Sequence, residues 1–130
     1  MNWAVIPAAF ALVLGATAAR AEFTISFDWG GLKLCNTGSP NRVGNPAFTV
    51  RGLPKGTESV EFRLTDLNVP SYNHGGGTLK MSGDGKVPPG LFKYSSPCPP
   101  DGVHTYEWTA TARQGSKVLA RAKAQRKYPE

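Results

Sequence analysis

An antiparallel two-sheet β-sandwich with little or no helix is the architecture this chain predicts. Three segments alternate apolar and polar residues strictly, the period of a strand with one buried face. Clusters of Gly, Pro, Asn and Asp separate them at the spacing of turns. Gly (15) and Pro (11) make up a fifth of the 130 residues, which disfavours long helices. The length suits one domain, and the absence of heptads, of a triplet period and of internal repeats excludes coiled coil and collagen.

In chain order, Ala4 to Ala19 is an uncharged apolar stretch broken by Pro7 and Gly15, then Ala19-Arg20-Ala21 offers the small residues that signal peptidase accepts. Residues 1–21 are therefore expected to be a signal peptide cleaved after Ala21; an uncleaved anchor is the other reading, for which the run is short. The expected location is periplasmic or secreted, with residues 22–130 as a single domain. Phe23, Ile25, Phe27 and Trp29 share one face of the first predicted strand. Ala47 to Leu53 is a shorter one. Val60, Phe62 and Leu64 face one way with Glu61, Arg63 and Thr65 opposite, and Thr78 to Met81 follows as another short strand. Tyr106, Trp108, Ala110 and Ala112 form a third face against Thr105, Glu107, Thr109 and Thr111. Turn signals lie at Pro54-Lys55-Gly56, Gly83-Asp84-Gly85 and Pro88-Pro89-Gly90. Residues 117–127 suit either strand or helix by composition. Alternation of Val118, Ala120, Ala122 and Ala124 with Lys117, Arg121 and Lys123 favours a strand returning along 104–113 through Gln114-Gly115-Ser116. Residues 30–46, rich in Gly, Asn and Pro, match no element.

Cys35 and Cys98 lie 63 positions apart. In an exported chain an even count favours a disulfide, and two buried thiols are the alternative. Two Cys and two His share no metal-ligand spacing, so neither a zinc site nor another cofactor is expected. Residues 113–130 carry Arg113, Lys117, Arg121, Lys123, Arg126 and Lys127 against Glu130 alone. Such a face suits an acidic protein or membrane surface, or simply keeps the protein soluble; nucleic acid is not expected for an exported protein.

Two loops carry the candidate chemistry. Asp66 to Gly77 mixes a carboxylate, an imidazole (His74) and three glycines, and Tyr94 to Tyr106 runs a proline-rich stretch into a strand opening with His104. Both histidines thus lie beside backbone that glycine and proline shape, a plausible cradle for a small anion. His74, His104 and Asp66 each have an ordinary alternative, as a solvent-facing turn residue, a strand-end hydrogen bond and a turn cap. Catalysis finds little support. His74-Gly75-Gly76-Gly77 is like the oxyanion segment of lipases, but there is no G-x-S-x-G elbow, no nucleophile at a telling spacing and no paired carboxylates near the loops.

Pro54-Lys55-Gly56-Thr57-Glu58-Ser59, Asp66-Leu67-Asn68-Val69-Pro70, Ser96-Pro97-Cys98-Pro99-Pro100-Asp101-Gly102-Val103-His104-Thr105-Tyr106 and Val118-Leu119-Ala120-Arg121-Ala122 occur in the order seen in the phosphatidylethanolamine-binding proteins, and the chain resembles the bacterial, Raf kinase inhibitor-like branch of that family. The resemblance spans most of residues 47–128. It implies a β-sandwich with a small non-catalytic pocket for phosphate or a phospholipid head group, lined by Asp66, Pro70 and His74 on one wall and Pro100, His104 and Tyr106 on the other. The chain departs from the pattern at Gly75-Gly76-Gly77, Ser96 and Thr105, and in its short segment 113–117. If the pocket is vestigial, the expected alternative is a structural or interaction module that uses the basic C-terminal face.

Overall fold

The computed structural model describes residues 21–130, and the predicted signal segment, up to Arg20, lies outside them. Within them the chain is all-β: β1 (Thr24–Phe27), β2 (Arg42–Gly44), β3 (Phe48–Arg51), β4 (Ser59–Asp66), β5 (Gly76–Lys80), β6 (Gly85–Val87), β7 (Lys93–Ser95), β8 (His104–Gln114) and β9 (Lys117–Tyr128). Every pairing is antiparallel. The hydrogen-bonded sheets number three rather than the expected two, in orders β5-β4-β8-β9, β1-β3-β6 and β2-β7. The core still lies between two layers, because the two smaller sheets both pack on the inner face of the large one.

Alternation explains that face. Val60, Phe62 and Leu64 of β4 are buried and stand opposite Ala112, Ala110 and Trp108 of β8. Ala112 and Ala110, opposite Val60 and Phe62, leave room for the other layer. Phe48 of β3 stacks on Phe62 at 4.6 Å and meets Trp108 edge-on at 5.2 Å, while Tyr94 of β7 meets Trp108 at 4.9 Å. Each such aliphatic or phenyl side chain contributes about 1.5–3 kcal/mol on burial, and the edge-on contacts add to that. Trp108 is fully buried, with its indole N–H unpartnered among the described residues.

The strands that periodicity missed are held by specific contacts. Strand β1 stops at Phe27, because Asp28 accepts the Gly30 N–H at 2.8 Å and turns the chain. Asn45 is buried after β2. Its amide donates to Pro46 O and Pro88 O, and its carbonyl accepts the Leu91 and Phe92 N–H groups, so one side chain holds the approach to β7. Strand β6 begins inside the predicted turn at residues 83–85, where the Asp84 carboxylate accepts the Gly52 and Leu53 N–H groups. Those two bonds hold the Asp84 pKa below its ordinary value. The last segment is strand, as alternation favoured, with Thr109 opposite Lys123 and Ala110 opposite Ala122. One expected member of its basic outer face is corrected: Arg126 shares the parity of buried Ala122 and Tyr128, and its Nε donates to Phe27 O at 2.5 Å.

The triple glycine likewise has a different role from a ligand cradle. A Cβ on Gly76 would lie 1.8 Å from Phe62 O, and one on Gly77 would lie 2.6 Å from the Phe92 ring. These glycines let β4 and Phe92 pack against β5. Gly76→Ala is expected to cost about 3 kcal/mol, the upper end for overpacking, because a backbone oxygen has no rotamer to escape into. Gly77→Ala should cost less, since its closest contact, with Phe92 Cβ and Cγ, is at 2.6 Å and not at 1.8 Å. Urea unfolding checks this order, and an unperturbed Gly76→Ala would contradict it.

Candidate functional site

Strand register brings the site residues together from four segments. Asp66 ends β4 opposite Tyr106, and His104 opens β8 two residues earlier on the same face. His74 precedes β5 and is clamped to the end of β7. Its carbonyl accepts the Ser95 N–H at 2.8 Å, and its Nδ1–H donates to Ser95 O at 2.7 Å. The fourth segment is the strap around residues 35–41, which the Cys35–Cys98 disulfide ties to the proline block. The Tyr128 hydroxyl holds it too, accepting the Cys35 N–H at 2.7 Å and donating to Lys33 O at 3.0 Å.

Together they enclose a cavity of about 350 Å³ whose lining includes Asp66, His74, Pro100, His104 and Tyr106. Five of the six residues singled out from the sequence are thus in one place. Pro70 is not: it borders a groove on the outer face of the large sheet, and the neighbouring Val69 and Tyr72 take the wall expected of it. Gly38 and Pro40 of the strap also line the cavity. The pairing of Cys35 with Cys98 was the available clue, since it sets residues 38–40 beside 98–100. Among the described residues no group of three or more His, Cys, Asp or Glu has metal-binding geometry.

The polar geometry is specific. The Asp66 carboxylate is nearly buried and accepts three N–H groups: His104 Nδ1–H at 2.6 Å, Asn68 at 2.9 Å and Val69 at 3.3 Å. One carboxylate oxygen thus caps the turn at Asn68 and Val69, and the other accepts from His104. Both imidazoles use Nδ1 as a donor, and among the described residues neither Nε2 has a hydrogen-bond partner; it is a lone pair when neutral and an N–H when protonated. The Tyr106 ring lies 5.5 Å from His74, edge-on, and 6.3 Å from His104, nearly parallel. Burial first, then the adjacent Asp66 carboxylate, pushes the Tyr106 hydroxyl well above its ordinary pKa, so it remains a protonated donor.

Burial lowers the His74 pKa from 6.5, outweighing the opposing effects of the Ser95 carbonyl and the Asp66 charge. The unfolded chain therefore binds the proton better than the folded one. The stabilisation this gives is complete above pH 6.5 and is lost as pH falls below it toward the lowered native value. His74→Gln isolates the effect: the Tm difference between wild type and variant should be larger at pH 7.5 than at pH 5, by a few degrees. A pH-independent difference would contradict it.

No family model and no curated protein sequence matches the chain. Solved structures do. E. coli YbcL, described as a new member of the mammalian PEBP family, matches with a TM-score of 0.62 at 17% identity, over 83% of this chain and 98% of that one. The PEBP homologue CT736 of Chlamydia trachomatis matches with a TM-score of 0.57 at 16% identity, over 83% and 97%. At such identities the likeness is one of fold, and at that level it agrees with the resemblance carried by the proline–histidine–tyrosine block: this chain has the fold of the phosphatidylethanolamine-binding proteins.

Proposed function

We propose that this chain is an exported, non-catalytic binding protein whose cavity takes a small anion, either phosphate or a phospholipid head group. The observation that carries the reading is the pair of imidazoles flanking Tyr106, both tied back through Nδ1 and both bordering one cavity. Protonated, they present two N–H donors beside a phenol, a set that suits a phosphate-like oxyanion. The names of the two solved structures point to the same ligand class. Export is supported by the residue 4–21 pattern and by the disulfide, which suits an oxidising compartment.

A binding role rather than catalysis is favoured by the cavity walls. Asp66 and His104 form an acid–base pair, but the lining offers no Ser, Thr or Lys as nucleophile, and the sulfur of Cys98 is in the disulfide. Leu67, Val69, Tyr72 and Val103 are exposed, two on the cavity wall and two beside Asp66 and His104. That apolar border favours a head group presented by a lipid over a free ion. Titrating residues 22–130 with inorganic phosphate and phosphoethanolamine, read by proton–nitrogen NMR, tests the reading. Saturable shifts at His74, His104 and Tyr106 are expected, and unchanged signals at millimolar ligand would overturn it.

A further inference from the structure

The outer face of the large sheet contributes nothing to the core, yet it has a defined chemistry. Across β4, β8 and β9 the register aligns Arg63, Thr109 and Lys123 in one row and Glu61, Thr111 and Arg121 in the next. Residues 70–73 stand over these rows, so that sheet and loop enclose a groove of about 440 Å³ with Arg63, Arg113, Arg121, Thr109 and Thr111 on its floor and Tyr72 on its wall. Three guanidinium groups there face one carboxylate, Glu61, which Arg113 engages at 3.1 Å. Arg121 makes no hydrogen bond or ion pair among the described residues, and Arg63 reaches only Asn73 Oδ1, at 3.5 Å. Further along the face Glu107 is matched by Lys123 at 3.8 Å and Gln125 at 2.8 Å, and Lys127 stands opposite Thr105.

We propose that this groove is a second binding site, for an anionic oligosaccharide bearing carboxylate or sulfate groups. Guanidinium forks pair with such groups through two parallel N–H bonds, and threonine hydroxyls both donate to and accept from sugar hydroxyls. Arg63 on β4 and Arg121 on β9 are two strand spacings apart and one row offset, roughly 12 Å between backbones, a span suited to successive charges on a sugar chain. The overhanging loop makes the site concave, which suits a linear chain and not a flat bilayer. An acidic peptide adding as a strand would run along the free edge at β9 and not across the face of β4 and β8, which are paired on both sides. This site is separate from the anion cavity, with Tyr72 bordering both.

The test is calorimetric titration with a heparin-derived hexasaccharide, maltohexaose as the neutral control, at two salt concentrations. Binding should weaken with salt and be absent for the neutral sugar. Arg63→Gln with Arg121→Gln should lower heparin-hexasaccharide affinity at least tenfold and leave phosphoethanolamine binding unchanged; His104→Ala should do the reverse. Thr109→Val should also weaken the sugar, a loss that charge alone does not predict. Unchanged binding by the arginine variant would overturn the proposal, since the sugar would then sit elsewhere. Equal binding of oligo-thymidylate or of phosphatidylglycerol vesicles at the same salt would overturn it too, as the face would then recognise charge and not sugar.

Discussion

Replacing Cys35 and Cys98 together by serine should lower the unfolding free energy by about 4 kcal/mol, the chain-entropy value for a closed loop of 63 residues. For a domain of this size that corresponds to a Tm lower by roughly 15 °C or more. The reason is structural as well as entropic. The strap around residues 35–41 has few apolar side chains to bury, and Leu34 beside it is exposed. Apart from the disulfide it is held by polar contacts: the two bonds of the Tyr128 hydroxyl, Ser96 N–H to Asn41 O at 2.8 Å and Asn41 N–H to Ser96 Oγ at 3.0 Å. Each contributes about 1 kcal/mol, so the strap should open locally before the sheets do. Gly38 and Pro40 would leave the cavity wall with it. Urea unfolding with and without reductant checks this. The reduced wild type should match the double variant, and an unchanged midpoint would show that the strap is held without the bond.

What could be read from the sequence follows from where information is local. The long strands β4, β8 and β9 were legible because one buried face imposes a period of two over many residues. The short strands β2, β6 and β7 were not, since three residues carry no period; what fixes them is the buried amide of Asn45, the carboxylate of Asp84 and pairing with distant partners. The same contrast governs the site. Asp66, His104 and Tyr106 fall on one face because they lie at the end of β4 and within the first three residues of β8, whose parity aims them inward. Pro70 was misplaced because the loop after Asp66 turns at Asn68 and Val69, both bonded to the Asp66 carboxylate, and carries Pro70 over to the outer face. The glycines after His74 look like a ligand cradle in sequence, whereas in the fold Phe62 and Phe92 need the room.

His104→Ala should weaken phosphoethanolamine binding by tenfold to a hundredfold, the loss of one charge-assisted hydrogen bond worth about 1.5–3 kcal/mol. The variant should fold, because His104 opens its strand and its polar contact is with the Asp66 carboxylate, which retains two backbone N–H donors. The pH dependence separates this role from a merely structural one. Both rings spend their Nδ1 proton on a fixed acceptor, so a ring donates to an anion only after taking a second proton at Nε2. Sulfate is the suitable probe, its charge being constant over the range. Its affinity should rise as pH falls from 7.5 to 5.5, by at most tenfold per pH unit for each proton taken up. Protonating His74 opposes its burial and weakens the empty fold over the same interval. Bound sulfate relieves that cost, so it should raise Tm more at pH 5.5 than at pH 7.5. If sulfate affinity is flat across this range in the wild type, the two imidazoles are not the donors that hold the anion.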